Sequence, residues 1–301
     1  MTFLQIQSDF ANMEGSMIIV TDSGADLTPG DIATLGIEVA PLQIQFPDGE
    51  VNSEEISRDD FYSRLKAMWP AIPSTSQPSA GMFGDLYRKL ADKGQEIFSI
   101  HISSGLSGTL NSARLGAKDL LNATIHHWDT MTLSGGERFQ VLAAALMAGA
   151  GHSKEAIVER LEKIRANTEV IYTLETLAYL AKGGRIGRVQ ALAGMLLQIK
   201  PIIHVDPADG KYSTVGKERT IPKALNQIAD YLKMRYGSTS VWVSVMHGQV
   251  QDQAELLGRI LQEKLNVAKF ETLRISPVLG VHTGPGIVGA TVVPVELMQD
   301  W

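Results

Sequence analysis

The chain has 301 residues, with 27 Lys+Arg against 33 Asp+Glu, a net charge of −6 and no cysteine. Without thiols there are no disulfides, thiolate metal sites or cysteine nucleophiles, and the weakly acidic balance, free of long like-charge runs, argues against a nucleic-acid partner. The length suits two domains better than one, and the longest apolar stretches, such as that around 141–147, fall far short of the roughly 20 residues needed to cross a bilayer.

Residues 1–16 include Asp9 and Glu14 and lack a basic start before an apolar block, so they read as an N-terminal extension and not as a signal peptide. An apolar strand over 17–20 leads into the polar turn Thr21-Asp22-Ser23-Gly24 and a helix from Pro29. A second strand is expected over 37–46, closing on Pro47-Asp48-Gly49, where Pro presets φ and Gly tolerates a positive one; a hairpin follows from that. Apolar residues at 82, 83, 86, 87, 90 and 91 fall on one helix face. Strands over 97–102 and 124–128 alternate with a helix from Ser107 past Leu120 and another reaching Ala150, the pattern of a mostly parallel sheet.

A helix over 153–166, with Ser153 as N-cap, and a strand over 169–173 come next, and the texture changes near residue 167. Strands over 201–205 and 212–215 flank Asp209-Gly210 as an antiparallel hairpin. Thr220 and Pro222 start a helix, and a strand over 240–246 and a helix over 251–264 follow, which suits a mixed sheet. The reading is α/β: a parallel-sheet domain over 17–166 and a mixed-sheet α/β domain over 167–301.

Several motifs carry candidate chemistry. Gly284, Gly286 and Gly289 fit the spacing of a dinucleotide loop, but Pro285 interrupts it and 290–293 reads as a strand where a helix is required. Gly105-Leu106-Ser107-Gly108-Thr109 nearly spells a nucleophile elbow, with Thr109 where the last glycine belongs. With His101 or His282 and Asp22 it could complete a triad, so a serine hydrolase acting on a small ester through Ser107 is one reading; a helix N-cap is the plainer role of Ser107. Residues 73–79 and 103–109 are hydroxyl-rich segments before helices, and two such helix entrances could converge on one carboxylate or phosphate. Gly183-Gly184-Arg185-Ile186-Gly187-Arg188 is a basic turn after a short amphipathic stretch. The seven histidines show no metal-ligand spacing.

Taken together, Val20-Thr21-Asp22-Ser23, Ser74-Thr75-Ser76-Gln77-Pro78-Ser79, the run from Ile102 to Thr109, Gly183-Gly184-Arg185 and the run from Gly280 to Gly286 closely resemble the DegV family in order and separation. Members are similar to the fatty-acid-binding subunits of bacterial fatty acid kinase, in which a separate kinase phosphorylates the carboxylate of a bound acyl chain. The resemblance implies a three-layer parallel-sheet domain joined to a smaller mixed-sheet one. It also implies a cytoplasmic carrier with no catalytic residue and no cofactor, holding a long-chain fatty acid such as palmitate. Thr75 and Ser107 would hold the carboxylate with His282 nearby, and Ser76, Ser104, Gly108 and Thr109 would support the head-group loop. Asp22 and Ser23 would only shape it.

On that reading the two ends of the ligand make unequal demands. About a dozen buried methylenes at about 0.8 kcal/mol each supply on the order of 10 kcal/mol before ordering costs. The head group needs charge-assisted hydrogen bonds yet must stay reachable, so a narrow apolar tunnel opening at the hydroxyl loops meets both needs. Lys182, Arg185 and Arg188 would then form a docking rim for the kinase, outside the tunnel. A ligand sensor is a third reading.

Overall fold

The computed structural model describes residues 17–92, 94–195 and 199–301, so the extension expected over 1–16 lies outside the described residues. Strand β1 (Met17–Asp22) leads through a 3-10 turn to α1 (Pro29–Leu35), which Thr28 and Asp31 open with a reciprocal capping box and Gly36 closes at φ 60°. The strand expected over 37–46 is two: β2 (Glu38–Ala40) and β3 (Gln43–Phe46), in different sheets. Proline at 41 has no N–H to donate, which suits a break between ladders. The hairpin at Pro47-Asp48 joins β3 to β4 (Gly49–Asn52). Helix α2 (Arg58–Met68) follows, and then β5 (Ser74–Ser76), a strand inside what reads as a hydroxyl loop. After α3 (Ala80–Ala91) come β6 (Glu96–His101), α4 (Thr109–Ala117), β7 (Ile125–Asp129), α5 (Ser134–Gly149) and α6 (Lys154–Asn167). Helix α4 is shorter at both ends than the span from Ser107 past Leu120.

Strands β2-β1-β6-β7 form a four-stranded parallel sheet. Phe83, Tyr87 and Leu90 of α3 and Ala113 of α4 cover one face; Phe139, Leu142 and Ala143 of α5 cover the other, which makes three layers. Strands β4-β3-β5 form a small antiparallel sheet packed on Phe61, Tyr62 and Leu65 of α2.

The remaining elements are β8 (Glu169–Thr173), α7 (Ala178–Lys182), β9 (Lys200–Asp206), β10 (Lys211–Glu218), α8 (Ile221–Tyr236), β11 (Ser240–His247), α9 (Gln251–Lys264), β12 (Asn266–Arg274), α10 (Pro277–Thr283) and β13 (Val288–Pro294). Sheet order is β10-β9-β8-β13-β11-β12, with only β11 and β12 parallel. One face packs on α8 and α9 through Ile171, Ile202, Val243 and Val292. The other, bearing Val170, Tyr172, Ile203, Val205 and Met246, turns inward toward α10.

Helix α5 is buried on nearly every side and lies between the two larger sheets; its cluster takes in Trp242 and Val293 as well as Ile19 and Phe98. Arg138, on α5, bonds Asp31 Oδ2 on α1 at 2.9 Å and Glu271 Oε1 on β12 at 2.5 Å, with its own side chain only 4% exposed. Removing it strands two half-buried carboxylates, which costs about 3–5 kcal/mol. Arg138→Ala should therefore lower the urea midpoint sharply, and Arg138→Lys should recover only part of the loss because a point charge cannot span both partners.

Candidate functional site

The two hydroxyl-rich segments meet. Strand β5 adds to β3 in register Ile44↔Thr75. On its other side, Thr75 Oγ1 lies 2.8 Å from His282 Nε2 on α10. Gln77 lies over Gly108, where an added Cβ would stand 3.1 Å from its amide nitrogen, so the first segment rests on the second. Ser76 is half-buried at the end of β5, and Ser79 caps α3 by accepting from Met82 N.

The second segment leaves β6 and is held from below by Asp22. That carboxylate accepts from Ile102 N at 3.0 Å, from Gly24 N at 2.9 Å and from His101 Nδ1 at 3.0 Å. With Nδ1 donating to a carboxylate, His101 Nε2 accepts from Ser99 Oγ at 2.6 Å, which accepts in turn from Tyr87. All four side chains are fully buried. Above them, Ser103 Oγ donates to Gly210 O, and Gly105 has no room for a side chain because Asp209 O would lie 2.6 Å from its Cβ. The β9–β10 turn thus presses on this loop. Ser104 is exposed and anchored by its N–H to Asp129. Ser107 Oγ lies 2.8 Å from Thr109 Oγ1 and accepts from Thr109 N. Gly108, not Ser107, occupies the N-cap position of α4, and Ser107 reaches the first turn through the bond it accepts from Thr109 N.

The triad reading fails on this geometry. Asp22 and His101 do pair, but the far nitrogen of His101 meets buried Ser99, and His282 meets Thr75. Ser107 pairs with Thr109 and has no base to activate it. The glycines of the dinucleotide spacing serve packing: a Cβ at Gly284 would enter the Tyr179 ring, one at Gly286 would meet Glu175, and one at Gly289 would meet Tyr172. Among the described residues no cluster of His, Asp and Glu could hold a metal ion, and no helix is long and apolar enough to cross a membrane.

His282 is 8% exposed and wedged against Gly183, whose added Cβ would lie 2.2 Å from Nδ1. Burial, and then the nearby Arg185 guanidinium, pull its pKa down to about 4. The imidazole is therefore neutral at pH 7. Arg185 is exposed and donates to Gly183 O, while Arg188 bonds Asp209 at 2.9 Å and Asp206 at 3.4 Å, bracing the turn that presses on the second hydroxyl segment. Lys182 stands 5.7 Å over the Trp69 ring.

Helix α10 joins this polar cluster to an apolar space. Leu279 and Thr283, on the helix that carries His282, line a small cavity of about 30 Å³. Leu133, Val170, Tyr172, Met246, Ile275 and Ile287 form much of its remaining wall. That volume is on the scale of one or two water molecules, well below the roughly 300 Å³ of a small-molecule site. Thr283 also lines an open pocket of about 300 Å³ beside Trp69 and Tyr179. Sequence reasoning singles out Thr75, Ser107 and His282 as candidates and does not single out the cavity-lining Tyr172, Met246 and Leu279, which read only as interior positions of strands or of a glycine-rich run.

A family model described as an uncharacterised protein of the DegV family matches residues 16–295. A DegV domain-containing protein from Deinococcus radiodurans is 34% identical over 280 residues, covering 93% of this chain and 96% of its own. Among solved structures, the fatty-acid-binding DegV family protein from Thermus thermophilus superposes with a TM-score of 0.86 at 30% identity, over 93% of this chain and 99% of its own. A stearic-acid-binding protein from Eubacterium ventriosum gives 0.83 at 26% identity with the same coverage of both chains.

A histidine whose folded pKa is about 4 and whose unfolded value is near 6.5 binds fewer protons folded than unfolded between those values. Its contribution to stability therefore falls as pH drops from about 6.5 toward 4. NMR titration should show the His282 ring neutral at pH 6 and protonating near pH 4, and His282→Gln should flatten that part of the stability curve.

Proposed function

The chain belongs to the DegV family, and on that premise we propose that it is a non-enzymatic carrier that holds one long-chain fatty acid, such as palmitate, and presents its carboxylate to a separate kinase in the cytoplasm. The observation that carries this reading is α10, which sets His282 against Thr75 and, on the same helix, Leu279 and Thr283 against the apolar cavity. Thr75, Ser107 and neutral His282 hold the carboxylate, with Ser76, Ser104, Gly108 and Thr109 shaping the loop around it. The tail enters the apolar interior beside α10, where the small cavity widens around it, and the hydrophobic term provides most of the affinity.

The carboxylate gains hydroxyl donors without a buried cation in contact, so it remains a competent nucleophile. Its oxygen bonds to the terminal phosphorus of the kinase's nucleotide as the bond to the leaving diphosphate breaks. Lys182, Arg185 and Arg188 form the docking rim, where charge mainly sets association rate and salt dependence. The parallel-sheet unit over 17–166 supplies the hydroxyl loops and the unit over 167–301 supplies His282 and much of the cavity wall.

Mass spectrometry of an organic extract from folded protein should find close to one fatty acid per chain; protein that is empty and also refuses added fatty acid in calorimetry overturns the proposal. Hydrogen bonds to a charged oxygen contribute about 1.5–3 kcal/mol each, so Thr75→Ala with Ser107→Ala should weaken binding at least about tenfold without unfolding. Arg185→Ala and Arg188→Ala should keep fatty-acid affinity and lose kinase-dependent phosphorylation. Loss of affinity instead would move Arg185 to the head group.

A further inference from the structure

The apolar cavity beside α10 is closed down to about 30 Å³, so an acyl tail can enter only where a wall residue gives way. The strand register shows where. Tyr172 on β8, Gly289 on β13 and Met246 on β11 lie directly opposite one another, and all three line the cavity. Residue 289 must be glycine, because a Cβ there would stand 2.4 Å from Tyr172 Cβ. Its missing side chain leaves a gap in the inward sheet face, flanked by Tyr172 on one strand and Met246 on the other.

The two flanks differ in how they can move. Tyr172 is 5% exposed and packs edge-on against Tyr212, with ring centroids 5.9 Å apart at 82°. Elsewhere in the wall, Val170, Ile171, Ile275 and Ile287 are branched at Cβ and stiff about χ1, and Thr283 is pinned by its bond to Leu279 O. Met246 is an unbranched thioether chain, just as buried, and its one polar tie is the 3.4 Å contact in which Ser244 Oγ donates to its sulfur, a weak acceptor. Rotation of that chain away from Gly289 would extend the void along the sheet without moving the backbone.

We propose that Met246 is the movable plug of the acyl channel: it closes the space over Gly289, yields to an entering tail, and sets the chain length beyond which further methylenes add no affinity. This rests on the fatty-acid reading above and names the residue that decides which acids the protein takes.

The test is calorimetric titration of delipidated protein with the saturated series from myristic to arachidic acid. In the parent protein affinity should rise about threefold to fourfold per added methylene and then level off; Met246→Ala should move that plateau about two carbons further, so that arachidic acid gains about tenfold over the parent. A plateau that stays in place overturns the inference. A second readout uses the intact core. Met246→Leu, a volume-conserving change, removes one ε-methyl signal from the NMR spectrum of methyl-labelled methionine and so assigns it. In the parent protein that signal should shift when palmitic acid is added; if calorimetry shows binding while the signal stays still, the inference falls. Should Met246→Ala not fold, this readout decides. Refusal of every acid by the parent protein overturns the fatty-acid reading and the inference with it, whereas binding with an unmoved plateau or a still methyl signal overturns the inference alone.

Discussion

The Asp22 carboxylate, buried at the end of β1, is the fixed point from which the polar half of the molecule is built. It takes up the N–H groups of Ile102 and Gly24 and orients His101, so that the ends of two parallel strands are tied to one charged group. Such charge-assisted bonds to a buried anion are costly to lose, because the carboxylate cannot find water instead. The hydroxyl segment that starts at Ile102 therefore leaves the sheet in a set direction. A catalytic Asp–His pair would face an open cleft; this one faces Ser99 and Tyr87 inside the core, and its product is a loop conformation rather than a proton transfer.

Carboxylates crowd this region, and their protonation limits the charge that gathers there. Glu137 is fully buried, and burial, with Asp22 next, drives its pKa well above the usual range. Burial likewise raises that of Asp26, against hydrogen bonds from Ser134 and Ser276. Asp26 receives the N–H of Ser276 and the hydroxyl of Ser134, so it links the start of α10 to the start of α5. The helix that carries His282 is thus fixed at its N-cap by a buried carboxyl.

Much of this architecture is legible in the sequence because periodicity is local. The face at 82–91, Ser153 at the start of α6 and the Asp209-Gly210 hairpin are each set by residues within one turn of each other, and the structure has them. The hydroxyl content of Ser74-Thr75-Ser76 is equally plain, but its pairing with β3 depends on a contact about thirty residues away, so the segment reads as loop. Strand β12 carries exposed Ala268, Lys269 and Phe270 in succession, which hides its alternation. Helix α10 hides for a different reason: Pro277 and Gly280 are poor helix signals, and Gly280 is required because a Cβ there would strike Phe61 and Tyr62. The cavity wall is least legible of all, since Tyr172, Leu279 and Met246 share it only once three elements have come together.

The neutrality of His282 bears on how such a site can both hold and release its ligand. A protonated imidazole beside a carboxylate in a low-dielectric pocket would form an ion pair stronger than either partner's bonds to water, and would blunt the carboxylate as a nucleophile. Burial and Arg185 prevent that protonation at neutral pH. With the ring neutral, one nitrogen can exchange a hydrogen bond with Thr75 Oγ1 and thereby fix which way that hydroxyl points. In the proposed carrier the head group would meet oriented dipoles instead of a fixed charge, while Arg185 stays exposed and tethered to Gly183 O. Affinity would then be left to the apolar interior beside α10, where burying methylenes adds free energy without altering the reactivity of the far end. On the proposed reading, separating those two roles along one seven-residue helix would let the protein prepare an acyl group for chemistry done by another.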